Sequence, residues 1–274
     1  MDVIRFKHSR NAGDLIAALA GMQQIHRDTG KKSVIYQRLG LEAYYYEGAS
    51  HPLKNEAGNH VCMNEKQWSM LVPLLEAQEY IDHCEVFTGQ TFDIDLDKVM
   101  HDKHIPMPAG DLHFWTFFIV PEMACDLSKT WINPIISVAS FGIYHEQYKD
   151  NILINRTQRY QNPHITYFFL KQYESNLLFA GTGDERDLFC KQWQLPHVPL
   201  LKVENFSDLA QVIQCCKFGI FNQSMCWHIA DAMKTPRILE YCPQFPNTHP
   251  TGANGYAFIH QQALELYTHK LFNQ

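Results

Sequence analysis

Short apolar runs alternate with stretches of helical periodicity along this chain, most regularly after residue 150. Asn151–Asn155 reads as a strand, Pro163–Tyr173 as a helix or apolar surface segment, Asn176–Ala180 as a strand and Asp184–Gln192 as a helix. Val198–Val203 reads as a further short strand. Behind Ser207, a candidate N-cap, Leu209, Val212, Ile213 and Cys216 recur at helical spacing. Phe218–Phe221 (strand), Ser224–Met233 (helix) and Arg237–Tyr241 (strand) follow. Strands separated by helices of this length pair in parallel, through right-handed crossovers. The fold class expected is α/β.

The first half opens in the same way. Val3–Lys7 is a strand, Ser9–Asp14 is loop chemistry, and Leu15, Ile16, Leu19, Met22 and Ile25 mark a helix that stops at Thr29-Gly30. Ser33–Gln37 is the next strand. Residues 47–60 are too polar for a core. Helical spacing returns from Asn64 to Ala77, with Trp68, Leu71, Leu74 and Leu75 on one side. Val86-Phe87 and the alternation over Phe92–Leu96 read as further strands. Residues 97–148 are aromatic, proline-punctuated and without a clear period, and a domain boundary falls naturally near Tyr148. At about 150 residues per domain, 274 residues make two modest units, 1–148 and 149–274.

Composition narrows the function. With 46% hydrophobic and 19% charged residues, the chain is ordinary globular material rather than a disordered tail or a rod. Lys plus Arg number 23 against 29 Asp plus Glu, a net charge of −6, which argues against binding extended duplex DNA. The eight cysteines form no CxxC pair and read as small buried hydrophobes of a reducing compartment. MDVIRFKHSR lacks an apolar signal region, and Phe114–Val120 is too short to span a bilayer, so the expected location is cytoplasmic.

Parallel sheets bind ligands at the carboxyl ends of their strands, where helices begin with unpaired N–H groups. Three such junctions stand out. In the first, His8–Asp14, a carboxylate follows Gly13 just inside a helix. Asp14 is placed to act as a general base, or simply to cap the helix and complement its dipole. Arg5, Lys7, His8 and Arg10 crowd this region and suit an anionic ligand. In the second, Gly181 and Gly183 permit close backbone approach, and Glu185 can accept from ribose hydroxyls. The third glycine of a dinucleotide fingerprint is missing. In the third, Asn222, Gln223, Ser224 and His228 lead from a strand into a helix that can offer N–H groups and a hydroxyl to a diphosphate. The plainer reading makes Ser224 an N-cap and His228 a core-edge histidine. Arg156 and Arg159 follow a strand and can clamp phosphate oxygens or lie solvated. His101 and His104 lack the further ligands of a zinc site, so no metal is expected.

Taken in order, these junctions resemble the ADP-heptose:lipopolysaccharide heptosyltransferase family, glycosyltransferase family 9. Ala12-Gly13-Asp14-Leu15-Ile16-Ala17-Ala18-Leu19 is similar to the family's opening Gly-Asp turn and apolar helix. Leu74–Phe87 and Phe92–Leu96 resemble its mid-domain segment, and Gly181–Glu185 its glycine-rich turn. Phe206–His228 resembles the segment leading into its Asn-Asp-Ser-Gly-Pro-x-His loop, and Thr235-Pro236 its later Thr-Pro. The similarity is best over 1–30 and 176–240 and blurred over 97–150. The chain departs from the pattern at Gln223 (family Asp), Met225 (Gly) and Lys234 (Gly), and it is shorter than typical members.

The resemblance implies a GT-B fold, two Rossmann-like domains with parallel sheets facing across a cleft. It implies a glycosyltransferase, hexosyl or heptosyl, that moves a sugar from a nucleotide-diphosphate donor to a hydroxyl of a glycan, lipid-linked or other acceptor. The displacement is inverting, requires no cofactor, and is closed by domain movement. Asp14 is then the base. Gly13, Arg156, Arg159, Gly181, Gly183, Glu185, Asn222, Gln223, Ser224 and His228 serve the donor, with Glu185 at the ribose. Lys234 puts a bulky side chain where the donor phosphates approach. Two alternatives stand beside this reading: a catalytically degenerate module that binds a nucleotide or a partner, and the same chemistry on a nucleic-acid base or small metabolite.

Overall fold

The computed structural model describes residues 2–44, 51–101, 110–133 and 138–274. In the first half, strands β1 (Val3–His8), β2 (Lys32–Gln37), β3 (Ile81–Val86) and β4 (Ile94–Asp95) pair in parallel in the order β3-β2-β1-β4. In the second, β5 (Ile152–Asn155), β6 (Leu177–Phe179), β7 (Phe218–Phe221), β8 (Arg237–Glu240) and β9 (Gly255–Phe258) pair in parallel as β6-β5-β7-β8-β9. Strands β5 and β7 are buried at every residue, as expected for a sheet covered on both faces. The helices are α1 (Ala12–Thr29), α2 (Glu65–Glu76), α3 (Leu112–Ile119), α4 (Val138–Tyr148), α5 (Gly183–Trp193), α6 (Phe206–Cys215), α7 (Met225–Met233) and α8 (Gln261–Phe272).

Several local expectations are corrected. The third strand begins at Ile81 rather than Val86, because its Asp82, His83 and Glu85 sit on an edge strand that shows no apolar alternation. The Phe92–Leu96 strand shortens to Ile94–Asp95, since Asp95 caps a 3-10 turn by accepting from the Asp97 N–H. Val198–Val203, interrupted by Pro199, forms only one bridge, Phe179 to Leu200. The N-cap of α6 is Asn205, whose Oδ1 accepts from the N–H groups of Ser207 and Asp208. Phe168–Asn176 is a 3-10 helix. The aromatic tract holds α3, and β9 and α8 close the second sheet.

One apolar core runs through both halves. Leu15, Ile16 and Leu19 of α1 share it with Trp227, Ile229 and Ala230 of α7, and α2 and α4 both pack on α6. Gly21 lets α1 approach the Met123 turn, where an added Cβ would come within 2.5 Å of the Met123 Cβ. Trp131 ties the halves together. Its backbone N–H donates to Ala232 O at 3.0 Å, its indole N–H to Ile16 O at 3.0 Å, and its carbonyl accepts from the Tyr80 hydroxyl. A second core of Tyr167, Phe189, Trp193 and Leu264 lies against the other face of the second sheet. No helix among the described residues is long and apolar enough to cross a membrane.

Candidate active site

Each sheet reverses its strand order once, between β1 and β4 in the first and between β5 and β7 in the second. Crevices at such points are where open α/β sheets take ligands. Here both open into one cleft. The start of α1 contributes Asn11, Gly13 and Asp14. The loop after β5 contributes Arg159 and Tyr160, and the β7–α7 junction contributes Gln223, Ser224, Met225 and His228. Asn247 and Thr248 complete the wall on the second side, and His51 and Gln67 on the first.

Asp14 is both a cap and a cleft residue. As the third residue of α1 it accepts the Asn11 backbone N–H on Oδ2 at 3.1 Å, which fixes the carboxylate. Its other oxygen, Oδ1, has no partner among the described residues. The helix turn is pressed against α7, since a Cβ on Gly13 would sit 2.8 Å from the His228 Cδ2. That close approach is what requires glycine. His228 is 6% exposed and makes no side-chain hydrogen bond to a described residue. Burial pushes its pKa down to about 4, so the ring is neutral at pH 7.

Opposite Asp14, Ser224 caps α7 by accepting the Trp227 N–H. Met225 and Cys226 begin the helix, where N–H groups have no intrahelical acceptor and the dipole favours negative charge. The amides beside Ser224 are occupied. Asn222 is fully buried and donates to Thr157 O at 3.2 Å and Arg159 O at 2.6 Å. Gln223 donates to Phe245 O and accepts from Cys242 N–H, which ties the 242–247 loop to the junction. Gln223 is thus a neutral brace.

The remaining expected residues divide. Arg159 lines the cleft. Arg156 does not: its Nε and Nη2 donate to Glu240 at 2.7 and 2.9 Å in a buried bidentate pair, to which Tyr167 adds a third hydrogen bond. The expected double clamp is therefore reduced to Arg159. Gly181, Gly183 and Glu185 also stand outside the lining. Glu185 closes a capping box with Thr182, and Gly181 takes φ +154° against it. Near β1 the basic cluster is largely neutralised, with Arg5 paired to Asp93 and Lys7 to Asp95 and Asp97. His8 meets Gln37 Oε1 through Nδ1 at 2.7 Å, and neither it nor Arg10 has an acidic partner in the described residues.

The expectation for Lys234 is corrected outright. It is the left-handed C-cap of α7 (φ +58°), at the opposite end of the helix from the cleft. Its ammonium lies 4.0 Å from the centre of the Trp131 ring and 3.7 Å from Asp231. Glycine suits that position because of its φ, not because a phosphate passes there. Sequence reasoning passed over Tyr160, Asn247 and Glu240. Only Glu240 left a signal, a carboxylate ending the apolar run of a buried strand. Of the His101–His104 pair, Asp102 to His104 lie outside the described residues. No group of three or more His, Cys, Asp or Glu among the described residues is placed to hold a metal.

No family model matches this chain, and no curated protein does. Solved structures do. ADP-heptose LPS heptosyltransferase II of E. coli superposes over 100% of this chain and 99% of its own, with TM-score 0.62 and 12% identity. The fold is GT-B. A glycosyl transferase of family 9 from Veillonella parvula covers 97% of this chain and 88% of its own (TM-score 0.56, 12% identity). The E. coli heptosyltransferase WaaC, solved with ADP, covers 98% and 100% (TM-score 0.56, 11% identity). At such identities the likeness speaks for the architecture, and the chemistry has to be argued from the cleft.

Proposed function

We propose that the protein is a glycosyltransferase that moves a sugar from a nucleotide-diphosphate donor to an acceptor hydroxyl by a single inverting displacement. The observation that carries this reading is the opposition across one cleft of a fixed carboxylate and a helix N-terminus. Asp14, held through Oδ2 on its own helix, lines the cleft with Oδ1 unpartnered among the described residues, while the start of α7 and Arg159 line the same space. One structure similar in fold, the E. coli heptosyltransferase WaaC, was solved with ADP, which accords with a nucleotide donor.

In the proposed step the acceptor oxygen attacks the anomeric carbon and gives its proton to Asp14. The bond from that carbon to the phosphate oxygen breaks with its electron pair. The charge that develops on the leaving diphosphate is met by the α7 N–H groups and the Arg159 guanidinium. His228, neutral and wedged between the two helix starts, keeps the base side and the phosphate side at a fixed spacing. The shared core and the Trp131 tie support a site assembled before the ligand arrives, with less domain closure than the sequence suggests. The two-unit division near Tyr148 belongs to this proposal, as does a cytoplasmic site of action.

Asp14→Asn tests it, because the amide can still accept the Asn11 N–H. ADP-, GDP- and UDP-sugars are first ranked by thermal shift with the wild type, and nucleoside diphosphate release is then followed from the best. The variant is expected to lose about 100- to 10,000-fold in turnover while its donor affinity stays nearly constant. Release at the wild-type rate would remove Asp14 from the mechanism. Stabilisation by a donor with no release from either protein would favour a binding module.

A further inference from the structure

We infer that Asn247 donates a side-chain N–H to the leaving diphosphate, beside the first N–H groups of α7. This rests on the nucleotide-sugar reading above and adds a catalytic residue to its step. Asn247 belongs to the 241–254 loop that joins β8 to β9, and it lines the cleft together with Gln223, Ser224 and Met225.

Three of the four polar groups of Asn247 are engaged. Its backbone N–H donates to Phe245 O at 2.9 Å. Its carbonyl accepts the Leu112 N–H at 3.1 Å, which pins the loop to the start of α3 in the first half. Its Oδ1 accepts from Gln223 Nε2 and, at 3.3 Å, from the Thr248 hydroxyl. The NH₂ group has no partner among the described residues.

The way this amide is turned follows from backbone groups that cannot exchange roles. The Cys242 N–H can only donate, so the end of Gln223 that it meets at 3.2 Å is the carbonyl Oε1. Phe245 O can only accept, so the end that meets it at 2.9 Å is Nε2. That same Nε2 reaches Asn247, which therefore answers with its oxygen. Gln223 and Thr248 are 5% and 4% exposed, so the chain of hydrogen bonds is shielded from water. What Asn247 has left to offer a ligand is a donor alone.

An oxygen that can only accept is the matching partner, and a diphosphate carries several. Gln223 immediately precedes the Ser224 cap, so the side chain it holds stands next to the start of α7, where the diphosphate is proposed to lie. A neutral N–H oriented in advance meets developing charge without having to reorganise.

The experiment measures equilibrium binding of inorganic pyrophosphate, ADP, GDP and UDP to the wild type and to Asn247→Ala, Asn247→Asp and Gln223→Glu, together with nucleoside diphosphate release from the best donor sugar. Asn247→Ala is expected to weaken pyrophosphate about tenfold and to lower turnover about 100-fold. Asn247→Asp keeps an oxygen for Gln223 and Thr248 and puts its second oxygen in place of the NH₂, so it should bind pyrophosphate more weakly than Asn247→Ala. Gln223→Glu still accepts the Cys242 N–H but has no hydrogen for Asn247. That amide then turns over, and pyrophosphate should weaken at least as much as in Asn247→Ala. An Asn247 that served only to hold the loop would be rescued by aspartate. Wild-type pyrophosphate affinity in Asn247→Asp therefore overturns the inference, as does an Asn247→Ala variant with no loss. A wild type that binds neither pyrophosphate nor any of the three nucleotides overturns the transferase reading itself, and this inference with it.

Discussion

The two strand-to-helix junctions that meet in the cleft occupy equivalent places in their sheets and are built from opposite chemistry. At the β1–α1 junction the contacts are ionic. Asp97 accepts from Lys7 at 3.0 Å, from the Ser9 backbone at 3.0 Å and from its hydroxyl at 2.7 Å, and Asp14 and Arg10 stand beside this cluster. At the β7–α7 junction the contacts are neutral amides and a hydroxyl cap: Asn222, Gln223 and Ser224, all buried. A base needs a charge that keeps its place, which ionic neighbours help to fix. An anion cradle needs N–H groups that are already oriented, which neutral braces supply without competing for the anion. The difference therefore follows the division of labour proposed for the cleft.

Acid titration should separate the two sides, and it carries the largest expected effect. His228 has its pKa lowered from 6.5 to about 4 by burial, so between those values the unfolded chain binds a proton that the folded chain does not. Stability then rises with pH across that window, and on acidification from pH 6.5 to 4 it falls by about 3 kcal/mol from this residue. His51, whose pKa is pushed down to about 3, extends the loss in the same direction. The Asp97 carboxyl is held below its usual 3.8 by Ser9 and Lys7 against the opposing effect of burial. Its contribution is present above that value and lost only as pH falls further. Denaturant melts at a series of pH values should show His228→Gln flattening the upper window and Asp97→Asn the lower. An acid limb that both variants leave unchanged would dissolve the distinction.

Replacing the ionic contact at neutral pH is the next effect in size. Asp97→Asn keeps an acceptor for Ser9 but leaves Lys7 with Asp95 alone, and it should cost about 2 kcal/mol, less in high salt. A cost that does not change with salt would mean that the first junction is held by packing. The smallest effect is expected where the junctions touch. Gly13→Ala places a methyl 2.8 Å from the His228 ring, an overpacking penalty partly offset by better helix propensity. The net loss should be about 1 kcal/mol. Unchanged stability and turnover in that variant would mean that the spacing between the helix starts is not fixed by this contact.

Much of the architecture could be read from the sequence because a buried parallel strand and its helix each leave a local period. Val3–His8, Phe218–Phe221 and the starts of α1 and α7 are of this kind. β3 was misplaced because an exposed edge strand such as Ile81–Val86 carries no such period. β9 leaves little signal because Gly255–Phe258 spans only four residues, and α8 because only Leu264, Thr268 and Leu271 of its residues are buried. Asp14 and Ser224 could be singled out because capping chemistry is local. The role of Arg156 could not, since Glu240 lies 84 residues away and only the pairing of β5, β7 and β8 brings the two together. The same holds for Asn247, whose amide is oriented by Gln223, 24 residues away in sequence.

The central claim is that the space between the starts of α1 and α7 is where a sugar nucleotide reacts. A crystal structure with the best-binding nucleoside diphosphate tests it most directly. The account predicts the diphosphate within hydrogen-bond distance of the first N–H groups of α7 and of Arg159, with Asp14 Oδ1 facing it across the cleft. A nucleotide bound elsewhere on the protein, with this cleft unoccupied, would contradict it.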